Sequence, residues 1–186
     1  VLVHGAWHNG DLLKAVAEAI ELDGHKVHLP TLKGNQDGDS KNVGLDDAID
    51  SLISYINTNN IEDCILVGHS YAGMVITGAF DKLGKKFIKR LVYWNAFVPN
   101  PGESLNDMTP PEYISLFDQI VQKDGSVLLP FPIWREAFIN DGDLELAQST
   151  YEKLNPHPYK TFTDQIQLSQ TPAEMQVGKS YIVCQD

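Results

Sequence analysis

The residues whose types and spacing best suit chemistry are Gly68-His69-Ser70-Tyr71-Ala72. The apolar, partly β-branched run Ile65-Leu66-Val67 precedes them, and Met74, Val75, Ile76, Ala79 and Phe80 follow at spacings suited to a helix. A strand, a tight turn around a serine and a helix form the setting of a nucleophile elbow. Small residues beside the serine let the turn adopt a strained conformation without collision between strand and helix. The hydroxyl is then lifted above the carboxyl edge of a sheet, with the next helix N-terminus directed at the site. Ser70 is the expected nucleophile.

Acyl transfer also requires donors for the oxyanion, a base, and a group to orient that base. In an elbow, the N–H of the residue after the nucleophile is one donor, here Tyr71. The second is expected from His4-Gly5-Ala6-Trp7, which closes the first apolar run. Gly5 permits an unusual backbone path that leaves the Ala6 N–H free to face the site. Alone, His4-Gly5-Ala6-Trp7 reads equally as an ordinary strand-end turn; paired with the elbow, it favours acyl transfer.

None of the six histidines fits the base. His69 lies inside the elbow and points elsewhere, His4 belongs to the oxyanion loop, and His8 lines its far side or caps the next helix. His25 and His28 share a face of an early strand. His157, between Pro156 and Pro158, sits where it touches substrate without acting as base.

The elements that must position these groups alternate. Strands are expected at Val1–Val3, His25–Leu29, Cys64–Val67, Ile88–Tyr93 and Ser180–Cys184, and helices at Asp11–Glu21, at Leu45–Asn57 and after the elbow. Residues 33–42 have no period and read as a loop. The pattern predicts an α/β fold, a mainly parallel sheet with helices on both faces. From Asn95 to Val177 the alternation breaks into proline-punctuated helical pieces around Pro111–Gln122, Trp134–Ile139 and Leu144–Leu154. So long a stretch needs structure of its own. The expected division is a core at 1–96 and 177–186 with an inserted helical cap at 97–176.

A formal charge of −11 argues against nucleic acid and anionic membranes, both of which call for a basic patch. The exception, Lys85, Lys86, Lys89 and Arg90, reads as a helix end leading into a strand. Cys64 and Cys184 lie in apolar runs and read as buried small hydrophobes. Neither a disulfide framework nor metal-ligand spacing is present in the sequence. No apolar run is long enough to span a bilayer, and a reducing, cytoplasmic location is the default. The chain opens inside a strand and closes just after another, so both ends read as cut from a longer protein.

Taken together, Val-Leu-Val-His-Gly-Ala-Trp-His, Gly-His-Ser-Tyr-Ala-Gly-Met-Val, Leu-Val-Tyr-Trp-Asn-Ala-Phe-Val-Pro and Ser-Tyr-Ile-Val-Cys resemble the α/β-hydrolase superfamily. More narrowly, they resemble the branch of plant methyl esterases, hydroxynitrile lyases and bacterial relatives. The resemblance implies a cofactor-free Ser-His-Asp enzyme with Ser70 as nucleophile and Ala6 and Tyr71 as oxyanion donors. It implies a triad acid at Asp186 or just past it, and a histidine beyond the last residue. The chain departs from relatives at Ala72, at Asp11 and Leu13, and at Asn95. The resembling lyases carry threonine where this chain has Gly5, and that glycine favours ester hydrolysis.

Apolar residues of the expected cap (Met108, Phe117, Leu128, Leu129, Phe131, Trp134, Phe138) supply its core and part of a pocket. Gly5, His8, His69, Trp94, Leu129 and Trp134 are the expected pocket residues. A small, largely apolar carboxylic ester is the expected partner, with a homodimer left open. The alternatives are lyase-type C–C cleavage and binding of a hydrophobic ligand without turnover.

Overall fold

The computed structural model describes residues 1–185. Its main sheet is wholly parallel: β1 (Leu2–Val3), β2 (Cys64–His69), β3 (Ile88–Trp94) and β6 (Gly178–Ile182), in the spatial order β1-β2-β3-β6. Because side chains alternate along each strand, both faces must be covered. Leu66, Leu91 and Tyr93 face α2 (Leu45–Thr58) and α3 (Ala72–Leu83), in a core with Ile49, Leu52, Ile56, Met74 and Ile76. On the opposite face Leu2, Val67 and Trp94 pack with Leu13 and Ala17, from a 3-10 turn (Gly10–Leu13) and α1 (Lys14–Leu22). The expected fold class is the one observed.

Two strand expectations need correction. His25–Leu29 forms no strand, although it runs beside β1. One backbone bond, from the Leu2 N–H to the His28 carbonyl (2.9 Å), joins them, and Val27 and Leu29 pack on Leu2. The last strand begins and ends two residues early. Its final rung is Trp94 opposite Ile182, after which the Asn95 N–H donates to the Ile182 carbonyl and β3 turns away. Cys184 therefore lies past the ladder and is exposed, and Cys64 is half-buried. The basic cluster falls as expected, on the turn between α3 and β3 and on β3 itself.

Between β3 and β6 the chain forms α4 (Pro111–Ile120), β4 (Ser126–Val127), α5 (Phe131–Phe138), α6 (Leu144–Tyr151), β5 (His157–Pro158) and α7 (Lys160–Thr163). Pro111 and Pro132 occupy first-turn positions, where a missing N–H costs nothing. The antiparallel pair β4–β5 and the short α7 have no period in the sequence long enough to read.

The insertion is tied to the sheet's helices. The Asp164 carboxylate, just after α7, accepts a hydrogen bond from the Leu45 N–H at the start of α2 (3.0 Å), an N-terminal donor otherwise lacking an intrahelical partner. Asp164→Ala is expected to lower the free energy of urea unfolding by about 1 kcal/mol, the usual value of such a cap. An unchanged midpoint would show that the bond contributes nothing.

Candidate active site

Ser70 stands at the carboxyl end of β2 with φ of 54°, a left-handed conformation that non-glycine residues rarely adopt. Three backbone bonds hold it there. The Ser70 N–H donates to the Trp94 carbonyl (3.2 Å), and the Ser70 carbonyl accepts from the Gly73 and Phe97 N–H groups (3.0 and 3.1 Å). The need for small neighbours is visible at Gly68, where a Cβ would lie 2.8 Å from the Ala72 carbonyl oxygen. Side chains alternate through the elbow. His69 turns to the α1 face against the Trp94 ring (4.9 Å between centroids) and meets His8 edge-on.

The loop after β1 approaches Ser70 from the side. A Cβ on Gly5 would lie 3.2 Å from the Ser70 Cβ and 2.9 Å from His69 Nδ1, so any side chain there would force its neighbours to shift. His4 and His8 fix the peptide planes here. His4 Nδ1–H donates to the Gly5 carbonyl (2.9 Å) while its Nε2 accepts from the Leu32 N–H (3.0 Å). His8 Nδ1–H donates to the Ala6 carbonyl (2.7 Å). With the Gly5 carbonyl held by His4, the N–H of the same peptide, that of Ala6, points the other way. Among the described residues, neither the Ala6 nor the Tyr71 N–H has a protein acceptor.

A cavity of about 250 Å³ opens over Ser70. Ala6, Trp7, Ser70, Tyr71 and Asn95 line it from the carboxyl edge of the sheet, and Phe97, Leu105, Tyr113, Phe117, Phe138 and Phe162 from the insertion. Of the expected pocket residues, Gly5, His8, His69 and Trp94 lie behind this wall. Leu129 and Trp134 do not reach it: Leu129 is fully buried, and Trp134 packs on Tyr151 inside the insertion. Both belong to the core beneath the wall, which takes its aromatic surface from Phe97, from α4, from Phe138 at the end of α5 and from Phe162 in α7. Sequence reasoning missed Phe97, Tyr113 and Phe162; the apolar spacing of α4 was the available signal for Tyr113.

His157 does not touch the cavity. It is fully buried, stacked on Phe162 (4.8 Å, 25°) and edge-on to Tyr71 (4.7 Å). The Tyr71 hydroxyl is buried beside Thr161 with no partner in hydrogen-bonding geometry, and burial pushes its pKa up. Among the described residues, no imidazole is hydrogen-bonded to Ser70 and no group of His, Cys, Asp and Glu forms a metal site. Asp186, the expected triad acid, lies outside the described residues. No described helix is long and apolar enough to cross a membrane.

The model of the alpha/beta hydrolase family matches residues 1–182. The carbendazim hydrolyzing esterase of Nocardioides sp. (strain SG-4G) is 44% identical over 113 residues, 59% of this chain and 46% of that protein. The match thus spans about half of that relative's length. An extracellular alpha/beta-hydrolase from a Paenibacillus species, described as sharing structural and functional homology with tobacco salicylic acid binding protein 2, superposes with a TM-score of 0.92. Its identity is 31%, over 97% of this chain and 74% of the other. An Arabidopsis methylesterase superposes at 0.75 with 24% identity, over 97% and 75% of the two chains, a likeness of fold alone. Plant methylesterases and bacterial esterases are the branch that the motifs resemble.

Buried neutral imidazoles give the site a pH signature. Desolvation lowers the His4 and His69 pKa values to about 4, with nearby histidines adding to it, and lowers that of His157 well below the ordinary 6.5. As pH falls below 6.5 the unfolded chain takes up protons that the folded chain refuses until near 4. Stability is therefore full above 6.5 and is lost through that window, by roughly 3 kcal/mol for His4 alone. Urea unfolding at pH 7, 5.5 and 4.5 is expected to show this fall. A flat profile would mean that these imidazoles are charged or solvated.

Proposed function

The chain belongs to the alpha/beta hydrolase family, and we propose that it hydrolyses a small, largely apolar carboxylic ester through an acyl-enzyme on Ser70. One observation carries the reading: the strained Ser70 faces an aromatic cavity beside two N–H groups, of Ala6 and Tyr71, that have no protein acceptor. Such donors count most where charge develops, each removing about 3 kcal/mol of barrier. The likeness to the carbendazim hydrolyzing esterase and to the Paenibacillus hydrolase supports ester hydrolysis.

In this reading Ser70 Oγ attacks the ester carbonyl carbon, and its proton passes to a histidine outside the described residues, oriented by Asp186 or its neighbour. The carbonyl oxygen, now negative, sits between the Ala6 and Tyr71 N–H groups. The tetrahedral intermediate collapses, the alcohol leaves with that proton, and the acyl group remains on Ser70. Water, deprotonated by the same base, attacks the acyl carbon; the bond to Ser70 Oγ then breaks, Oγ takes the proton back from the base, and the carboxylic acid leaves. Residues 97–176 act as a cap whose Phe117, Phe138 and Phe162 bind the apolar part of the substrate and exclude water. Gly5 favours hydrolysis over lyase chemistry, because an oxyanion hole left open by glycine suits a tetrahedral intermediate.

The test is steady-state hydrolysis of a short aryl ester by the full-length protein and its Ser70→Ala variant. A fall in kcat of at least about 10³-fold is expected. Equal rates, or no turnover in either, would sink the reading.

A further inference from the structure

Trp7 carries φ of 65° and is 4% exposed, and the groups that pin it come from the insertion, 120 to 150 residues away. Its carbonyl accepts from the Asn155 N–H (2.7 Å), and its indole N–H donates to the Val127 carbonyl (2.9 Å). Its backbone N–H faces His157 Nδ1 at 3.5 Å. Val127 and His157 stand opposite each other across the β4–β5 pair, so both strands of that small sheet grip one residue.

The His157 ring has a single consistent proton arrangement. Asn35, itself buried, places its amide nitrogen 2.9 Å from Nδ1. An amide NH2 and a backbone N–H can only donate, so Nδ1 is an acceptor. The proton is then on Nε2, which donates to Thr161 Oγ1 (2.9 Å), and that hydroxyl donates to the Pro158 carbonyl (2.8 Å). The Trp7 N–H belongs to the same peptide as the Ala6 carbonyl, which His8 holds from the other side. That peptide is thus fixed at both ends, one plane along from the peptide that presents the Ala6 N–H.

We propose that His157 is a positioning residue for the oxyanion loop. Through Nδ1 it sets the Ala6–Trp7 peptide plane, and so aims the Ala6 N–H at the reacting oxygen without touching substrate. The inference rests on the proposed role of Ala6 as an oxyanion donor. Side-chain shape separates the two faces of the ring: asparagine can place an acceptor where Nδ1 lies, whereas glutamine reaches the Nε2 position.

The experiment compares p-nitrophenyl butyrate hydrolysis by the full-length wild type and its His157→Asn, His157→Gln and His157→Leu variants, each with its urea-unfolding curve. In the Gln and Leu variants kcat is expected to fall at least about tenfold with KM within about twofold, as for a group acting only in the transition state. The Asn variant is expected to keep kcat within about threefold of wild type, whatever stability it loses. A merely structural role would lower Asn and Gln activity together, in step with the folded fraction, and would overturn the proposal. So would a loss confined to KM, or unchanged kcat in all three variants. If the Leu variant does not fold, the Asn–Gln pair decides. Absent turnover in the wild type, the ester-hydrolase reading itself falls and takes this one with it. An active wild type with indifferent variants removes this one alone.

Discussion

The structure depends on left-handed backbone at the ends of three adjacent strands. Trp7, Ser70 and Asn95 have φ of 65°, 54° and 42°, and they follow β1, β2 and β3, which lie side by side in parallel. Each such conformation costs about 1–2 kcal/mol for a residue with a Cβ and persists only where its surroundings over-determine it. Here the surroundings are backbone bonds from segments packed beside each turn. Ser70 is held by Trp94, Gly73 and Phe97, Asn95 by Ile182, and Trp7 by Asn155. Each turn lifts its side chain or peptide off the sheet edge, and the three together line one cavity.

The surroundings of these turns are apolar and uncharged. The chain's charge of −11 is carried on its surface, and the cavity wall contains no charged residue among those described. The histidines that hold the loop after β1 are kept uncharged by burial. That matters for the proposed reaction, since an imidazolium beside the loop would have to donate where the peptides already donate. In a low-dielectric site the N–H dipoles of Ala6 and Tyr71 also act at greater strength than in water.

What was legible in the sequence is what is local. The elbow lies within ten residues, and its small neighbours declare a turn whose geometry leaves no room for larger ones. The loop from His4 to Trp7 was legible for the same reason, as were α2, α3 and β3. What was hidden depends on distant partners. His25–Leu29 alternates like a strand, yet β1 has only two residues to pair with it. The end of β6 is set by the turn at Asn95 on its neighbour, not by its own apolar run. Leu129, Trp134 and Phe138 are equally apolar in the sequence, and only packing decides that Phe138 meets the cavity while the others lie beneath it. His157 gave no signal beyond its flanking prolines, because its partners Trp7 and Asn35 are more than a hundred residues away.

The insertion is continuous with the sheet in its packing although discontinuous with it in sequence. One buried cluster runs from Leu66 and Ile76 through Trp7 and Tyr71 to Phe117, Trp134 and Ala147. Polar ties reinforce it: Asp164 caps α2, and Asp81 of α3 accepts from the Ser169 hydroxyl (2.7 Å). Moving the insertion away as a rigid body would break these bonds and expose Trp7, whose left-handed backbone has no support from β1 itself. The strain at Trp7 is thus held by the segment that walls the cavity. The geometry of the loop and the shape of the cavity are, in consequence, a single packing arrangement rather than two.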